Sequence, residues 1–198
     1  MLTPILNHKF EDFRDFVERG WIVAYPTETT YGLGANPFNK EAVIALNKVK
    51  QRSEGKPYLM LVKNLDMLAV YAETEGIEKF LDVAWPNAVS FILKAKKRLP
   101  EWMVDKNGNA CFRISKSQFA KKLFEYIDRP LISTSANPEG FPVASDPYEV
   151  AAYFQNYERL AVFPDMYNDV KGRLPSTIID LTKEPPKVMR KGAFNIVF

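Results

Sequence analysis

The sequence predicts a mixed α/β (α+β) fold: one domain over residues 1–198, with a twisted sheet of parallel and antiparallel strands flanked by helices. Short apolar runs, such as residues 21–25 and 89–93, alternate with segments whose apolar residues recur every three or four positions. The chain has 198 residues, of which 46% are hydrophobic and 26% charged, and this length is ordinary for a single domain.

Capping and turn residues set the bounds of the predicted elements. In the first half these are a helix capped by Asn7 and ended by Gly20, a strand at 21–25, a polar loop at 27–34, a helix at 40–49 capped by Asn39, a strand at 57–62, and helices at 65–72 and 77–84. In the second half they are strands at 89–95 and 110–114, a helix carrying Phe119, Leu123 and Ile127, a strand at 130–132, a helix at 148–154, and strands at 160–163, 177–181 and 187–190. The last two strands are joined by a turn too short for a crossover helix, so they are predicted to be antiparallel.

Composition excludes several classes of protein. The single cysteine, Cys111, rules out an internal disulfide, and its expected role is that of a small core residue. The single histidine, His8, leaves no second histidine for a zinc cluster or a catalytic triad, and we expect it on the surface. Since every apolar stretch is far shorter than the roughly 20 residues of a membrane span, we expect a cytoplasmic protein.

Charge is distributed unevenly along the chain, although the net charge is only +3. Between residues 94 and 122, nine basic residues face two acidic ones, Glu101 and Asp105. Such a basic face attracts RNA, and it equally serves as a solvated surface that keeps a protein in solution. The sequence leaves both interpretations open.

Three polar segments follow apolar runs, where α/β proteins commonly build ligand sites. They are residues 27–32 (Thr-Glu-Thr-Thr-Tyr-Gly), Lys50-Gln51-Arg52, and residues 133–137 (Ser-Thr-Ser-Ala-Asn). Lys50, Arg52 and the nearby Lys56 supply cations for phosphates, and the hydroxyl-rich segments supply donors and acceptors. Each segment also has a purely structural explanation, as charges that complement a helix dipole or as a turn. Together they predict an anion and nucleotide pocket.

Other residues of the chain are further candidates for chemistry. Arg113 lies in a predicted buried strand and therefore needs a partner, such as a substrate carboxylate. Glu28 is a candidate general base, or it caps a turn. The pair Gly32 and Gly34 fails the dinucleotide-binding pattern because Pro37 stands at the third glycine position, and a Walker A loop is not present.

The motifs resemble those of the YrdC-like family, the threonylcarbamoyl-AMP synthases, over nearly the whole chain. The similar segments are residues 25–34, Lys50-Gln51-Arg52, Ser135-Ala136-Asn137, residues 175–180, and Arg190-Lys191-Gly192. The resemblance implies a YrdC-like fold with a basic concave cavity. It also implies synthesis of threonylcarbamoyl-AMP and pyrophosphate from L-threonine, bicarbonate and ATP, for the threonylcarbamoyladenosine at adenosine 37 of tRNA.

The resemblance also implies roles for individual residues. Lys50 and Arg52 would be catalytic, and Mg²⁺ would enter bound to ATP. The residues expected to bind ATP are Lys50, Arg52, Lys56, Asn109, Ser135, Asn137 and Arg190. Those expected to bind threonine are Thr29, Arg113, Ser133 and Ser176. Asn109 and Leu61 differ from other members, some of which have a threonine and a histidine there.

The implied partners are a downstream tRNA threonylcarbamoyl transferase complex and, as further candidates, tRNA or double-stranded RNA. No membrane association is expected. Two alternatives remain open at this stage. One is an RNA-binding protein that grips phosphate backbones without this chemistry, and the other is a paralogue that uses another substrate.

Overall fold

The strands form two twisted sheets that share a hydrophobic core. The computed structural model describes residues 9–52, 58–170, 172 and 174–195. Its helices are α1 (Phe10–Glu18), α2 (Lys40–Lys50), α3 (Leu65–Tyr71), α4 (Glu78–Ala84), α5 (Gln118–Leu123) and α6 (Pro147–Tyr153). Its strands are β1 (Ile22–Pro26), β2 (Tyr31–Gly34), β3 (Leu59–Leu61), β4 (Val89–Lys94), β5 (Asn109–Arg113), β6 (Leu131–Ile132), β7 (Thr134–Ser135), β8 (Leu160–Val162), β9 (Thr177–Asp180) and β10 (Lys187–Arg190).

Both sheets mix parallel and antiparallel pairs. The first sheet has the order β7-β2-β1-β8, in which only β1 and β8 run parallel. The second has the order β10-β9-β4-β5-β3-β6, with β4 parallel to β9 and β3 parallel to β5. Residues of both sheets, such as Leu33 and Phe91, belong to one buried hydrophobic cluster. The predicted mixed α/β fold is therefore confirmed, with the strands divided between two sheets instead of one.

Local signals placed most elements correctly. The Asn39 side chain accepts a hydrogen bond from the Ala42 backbone N–H at 3.0 Å and starts α2, as predicted. The antiparallel pairing of β9 and β10 is also confirmed. Asn7, His8 and Pro57 lie outside the described residues, so the predicted cap and surface position, and the start of the strand predicted at 57–62, are not addressed.

Two segments predicted to be irregular contain strands. Residues 31–34 form β2, and residues 134–135 form β7, which pairs with it. The glycines at 32 and 34 suggested a loop, but they serve close packing: a Cβ on Gly34 would lie 2.8 Å from a ring carbon of Tyr25. This pairing brings the two hydroxyl-rich segments side by side.

Within the described ranges, no helix has both the length and the apolar character needed to cross a membrane.

Candidate active site

A cavity of about 460 Å³ opens among strands of both sheets. Its wall includes Gly32 of β2, Leu59 of β3, Ile92 of β4 and Ile178 of β9, so it lies where the two sheets meet. This size falls within the range typical of pockets for small molecules and cofactors.

Positive charge dominates the cavity wall. Among the residues that the structure describes, four cationic side chains line it, those of Lys50, Arg52, Arg113 and Arg190, against the carboxylates of Asp105 and Glu139. A wall with this excess of cations favours anionic ligands such as phosphates and carboxylates.

Lys50, the last residue of α2, contacts Ser135 at the end of β7 and Asn137 just after it. Its ammonium donates to the backbone carbonyls of Ser135 at 2.6 Å and Asn137 at 2.5 Å, and to Oδ1 of Asn137 at 2.9 Å. Ser135 Oγ also donates to Asn137 Oδ1 at 2.6 Å. In this arrangement Ser135 and Asn137 orient Lys50, and a phosphate at the ammonium would replace some of these acceptors.

Burial lowers the pKa of Lys50 to about 8, with a further contribution from the neighbouring Arg52 guanidinium and an opposing one from Glu139. An anionic ligand would reverse this effect, because it favours the charged form of the amine. Binding of an anion should therefore extend the pH range over which Lys50 is charged to values above about 8.

Arg52 stacks on an aromatic ring. Its guanidinium carbon lies 4.6 Å from the ring centre of Tyr58, and the Tyr58 hydroxyl donates to Oδ1 of Asn47 at 2.8 Å. Burial raises the pKa of Tyr58 to about 12, and the Arg52 charge opposes this shift. Asn47 and Tyr58 thus fix the plane on which Arg52 lies.

The loop between β1 and β2 is held by its own hydroxyls. Thr27 Oγ1 donates to the Thr30 carbonyl at 2.8 Å and lies 2.8 Å from Thr29 Oγ1. Ser133 faces this loop across Gly32, where an added Cβ would come within 3.2 Å of Ser133 Oγ. Thr29 and Ser133 therefore present hydroxyls to the same end of the cavity.

Arg113, at the end of β5, forms a buried ion pair with Glu28. Arg113 Nη2 lies 2.8 Å from Glu28 Oε1, and both side chains are 4% exposed. The Ser115 hydroxyl donates to the other carboxylate oxygen of Glu28. Of the two roles proposed for Glu28, general base or turn cap, the geometry supports neither, because its carboxylate is committed to Arg113 and Ser115.

Ser176 and Arg190 form a further part of the cavity wall. The hydroxyls of Ser176 and Ser90 lie 2.8 Å apart, and Arg190 donates from Nη2 to the Ser176 carbonyl at 2.8 Å. Burial lowers the pKa of Arg190, although the nearby Cys111 favours its charged form. Gly192 permits this contact, since a Cβ there would collide with the backbone of Pro175 and Ser176.

Asp105 fixes Asn109 at another edge of the cavity. Its carboxylate accepts hydrogen bonds from the Asn109 backbone and side chain, at 2.8 and 3.1 Å, and from the Asn107 backbone. Partial burial acts against ionisation, but these hydrogen bonds prevail and lower the pKa of Asp105.

Cys111 also lines the cavity, and burial raises the pKa of its thiol to about 12. This agrees with the expectation of an unreactive residue. Leu61 is completely buried in the core and is not among the residues that line the cavity.

The structure brings the predicted site residues together around this one cavity. Those that line it are Thr29, Lys50, Arg52, Asn109, Arg113, Ser133, Ser135, Asn137, Ser176 and Arg190. Lys56 lies outside the described residues. The ligand assigned to each residue stays a prediction.

Sequence reasoning did not identify Tyr58, Asp105 and Glu139 as site residues, although all three line the cavity. Tyr58 could have been suspected from its place just beyond Arg52, in a segment already rich in cations. Asp105 stands in a basic loop, and no local pattern marks it.

Several residues of the basic segment have local partners. Lys94 Nζ donates to the Asn107 carbonyl and Lys96 Nζ to the Ala69 carbonyl, each at 2.6 Å, and Lys122 pairs with Glu125. These contacts favour the interpretation of a solvated surface, while leaving the charge itself available for long-range attraction.

Comparisons with known proteins agree with this arrangement. A family model named Sua5/YciO/YrdC, with the description "telomere recombination", matches residues 15–192. Threonylcarbamoyl-AMP synthase of Pseudoalteromonas atlantica is 33% identical over 154 residues, which cover 76% of this chain and 82% of the relative.

Solved structures extend the similarity to the fold. Pyrococcus abyssi Sua5 in complex with L-threonine matches 96% of this chain with a TM-score of 0.80 and 29% identity, and this chain spans 55% of it. Escherichia coli YciO matches 98% of this chain, and 94% of its own, with a TM-score of 0.85 and 23% identity, which indicates the fold alone. Because the family model matches most of this chain, from residue 15 to residue 192, the chain belongs to the Sua5/YciO/YrdC family.

Proposed function

We propose that this protein makes threonylcarbamoyl-AMP and pyrophosphate from L-threonine, bicarbonate and ATP. The observation that carries the proposal is the gathering of Lys50, Arg52, Arg113 and Arg190 on the wall of one cavity, together with the hydroxyls of Thr29, Ser133 and Ser176. Relatives named threonylcarbamoyl-AMP synthase, and a structural neighbour described as complexed with L-threonine, support the proposal.

The proposed pocket has two ends. Lys50, Arg52, Ser135 and Asn137 would hold the triphosphate, with Arg190 and Asn109 nearer the nucleoside. Arg113 would bind the threonine carboxylate, because its guanidinium lines the same cavity as the Thr29 and Ser133 hydroxyls. Those hydroxyls, with that of Ser176, would recognise the threonine side chain. Valine would be rejected because it lacks the hydroxyl and would leave these polar groups without a hydrogen-bond partner.

In the proposed reaction, the amine of threonine attacks bicarbonate and water leaves, which gives a carbamate. A carbamate oxygen then attacks the α-phosphorus of ATP, the bond to the β-phosphate oxygen breaks, and pyrophosphate leaves with the electron pair. Lys50 and Arg52 would stabilise the charge that develops on the phosphates, and alignment of the reactants would supply the rest of the rate enhancement. The product class makes the protein a nucleotidyltransferase.

Mg²⁺ would accompany ATP and act by neutralising its phosphate oxygens. Magnesium prefers substrate phosphates and one or two carboxylates, and Asp105 and Glu139 are carboxylates of this wall. Because Asp105 already accepts hydrogen bonds from Asn107 and Asn109, the exposed Glu139 is the carboxylate better placed to contribute an oxygen.

The product would pass to a tRNA threonylcarbamoyl transferase complex for modification of adenosine 37. We place the reaction in the cytoplasm, where ATP and unmodified tRNA are found. Direct RNA binding, the alternative function, predicts affinity for RNA that falls steeply with salt and needs neither ATP nor threonine.

The test is pyrophosphate release from ATP with labelled bicarbonate and single amino acids. We expect release that depends on threonine, with labelled carbon in an adenylate product. Lys50→Ala and Arg52→Ala should each lower the rate by about 100-fold or more, as losses of charge stabilisation do. Lys48→Ala is the matched control, because Lys48 is an exposed residue of the same helix and does not line the cavity. Release that is indifferent to threonine would contradict the proposal.

A further inference from the structure

We infer that Glu28 is a positioning residue for the threonine carboxylate, acting through Arg113. The inference rests on the proposed function, and it assigns a role to a side chain that is not itself among the residues lining the cavity.

Arg113 and Glu28 differ in their position relative to the cavity. Arg113 lines the cavity, whereas Glu28 does not, yet Arg113 Nη2 and Glu28 Oε1 are 2.8 Å apart. Arg113 therefore links the cavity wall to Glu28, although its own side chain is only 4% exposed. A guanidinium has five N–H donors, enough to serve a carboxylate on each side.

Glu28 has a second polar partner besides Arg113. Ser115, two residues after Arg113 in the chain, donates its hydroxyl to Glu28 Oε2. Ser115 Oγ in turn accepts from the Ser117 backbone N–H at 3.2 Å, just before α5. The carboxylate is thus tied to the segment that carries Arg113 as well as to its own loop.

Two N–H-bearing nitrogens of Arg113 have no hydrogen-bond partner in the part of the chain that the structure describes. Among the described residues, neither Nε nor Nη2 of Arg113 has a hydrogen-bond partner of good geometry, and the same holds for Glu28 Oε1. The contact with Glu28 is therefore ionic, and N–H groups are left over in a buried place. Because Nε and Nη2 are themselves buried, a ligand carboxylate would contact the part of the guanidinium that lines the cavity, and it would supply two acceptor oxygens there.

Glu28 affects the orientation of Arg113 as well as the stability of the protein. A buried ion pair adds little net stability over an apolar pair of similar size, whereas removal of one partner leaves a buried charge uncompensated, so Glu28→Gln should also lower stability. What Glu28 does provide is a fixed orientation for a long side chain that would otherwise have several rotamers. Loss of that orientation should weaken recognition of the ligand carboxylate in particular.

An opposite effect competes with this one, and it makes the test decisive. Removing the negative charge of Glu28 makes this end of the cavity more positive, which by itself strengthens attraction for a carboxylate. Positioning predicts weaker discrimination in favour of the carboxylate, whereas simple charge compensation predicts stronger discrimination.

The experiment compares L-threonine with L-threonine amide, which lacks the carboxylate, by calorimetric titration without ATP. We expect the Kd of the wild-type protein for threonine to be lower than that for the amide by about tenfold or more, which corresponds to the contribution of one hydrogen bond to a charged group. In Glu28→Gln this preference should fall at least about threefold, while the Kd for ATP stays unchanged. Glu18→Gln is the control, since Glu18 pairs with Arg129 on the surface at 2.7 Å.

Ser115→Ala provides a second variant in case Glu28→Gln does not fold. It keeps both charges and removes only the hydroxyl that holds Glu28, so we expect a smaller loss of the same preference. An unchanged or larger preference in these variants would overturn the role of Glu28 alone. Failure of the wild-type protein to bind threonine would overturn the proposed function, and this assignment with it.

Discussion

The ammonium of Lys50 lies 2.5 Å from the carbonyl oxygen of Asn137 and 2.9 Å from its Oδ1, while Nδ2 of the same side chain donates to the Phe141 carbonyl at 2.6 Å. Asn137 therefore connects the end of α2 to the loop at residues 138–141. Since Glu139 and Gly140 of this loop line the cavity, the position of Lys50 and the shape of the cavity edge depend on one another.

Substitutions at Asn137 should separate these two roles. Asn137→Ala removes one acceptor from Lys50 but leaves the backbone carbonyls, so we expect ATP affinity to fall by about two- to tenfold. Asn137→Asp keeps an acceptor but cancels the Lys50 charge and repels phosphates, so it should weaken ATP binding more than Asn137→Ala does. Titration with ATP checks both, and a tighter Kd for the aspartate variant than for the alanine variant would contradict the proposed phosphate position.

The lowered pKa of Lys50 predicts a dependence of stability on pH. Between about pH 8 and the ordinary lysine value of 10.5, the unfolded chain keeps the proton that the folded protein releases. Stability rises with pH wherever the unfolded state binds more protons, so Lys50 should make the free energy of unfolding increase over this range, by at most about 3 kcal/mol.

Urea unfolding of the wild-type protein and Lys50→Met at several pH values isolates this contribution, since the methionine variant lacks the titrating group. The difference between the two should change in favour of the wild-type protein as the pH rises above 8. ATP affinity should change in the opposite direction, because the neutral amine no longer attracts phosphates. A difference in unfolding free energy that is constant from pH 7 to 10 would show that Lys50 titrates at its ordinary value.

The sequence predicted the site better than it predicted some of the strands that form it. Asn39 and the apolar spacing of residues 43, 46 and 49 are local signals, so the bounds of α2 were predicted almost to the residue. β2 and β7 were missed because each is short and rich in glycine, serine or threonine. β2 pairs with the adjacent β1, and β7 pairs with β2, which lies about 100 residues away in the chain.

Contacts between residues far apart in the sequence could not be predicted either. Arg113 was expected to need a carboxylate, and the sequence suggested a substrate, but the structure places Glu28 against it as well. The sequence shows which side chains carry charge, whereas the pairing of Glu28 with Arg113 depends on how β1 and β5 are placed by the two sheets.

The stacking of Arg52 on Tyr58 predicts that the aromatic ring matters more than its hydroxyl. Tyr58→Leu removes the ring face, 4.6 Å from the guanidinium carbon, and should weaken ATP binding about two- to fivefold. Tyr58→Phe keeps the ring and loses only the hydrogen bond to Asn47, so its ATP affinity should stay close to that of the wild-type protein. Equal losses in both variants would assign the effect to the Asn47 contact instead.

Gly192 tests whether the wall formed by Ser176 and Arg190 is held by backbone packing. A methyl group in Gly192→Ala would collide with the backbone at Pro175 and Ser176, so one of the two segments must move. We expect a loss of about 1–3 kcal/mol in the free energy of unfolding, as overpacking usually costs, and weaker binding of both ATP and threonine. Gly172→Ala is the control, because a Cβ there meets no described atom within 4 Å. Should Gly192→Ala match the control in urea unfolding and in both titrations, the β10 segment would have to be loosely packed against Ser176, and Arg190 could not owe its place in the cavity to that contact.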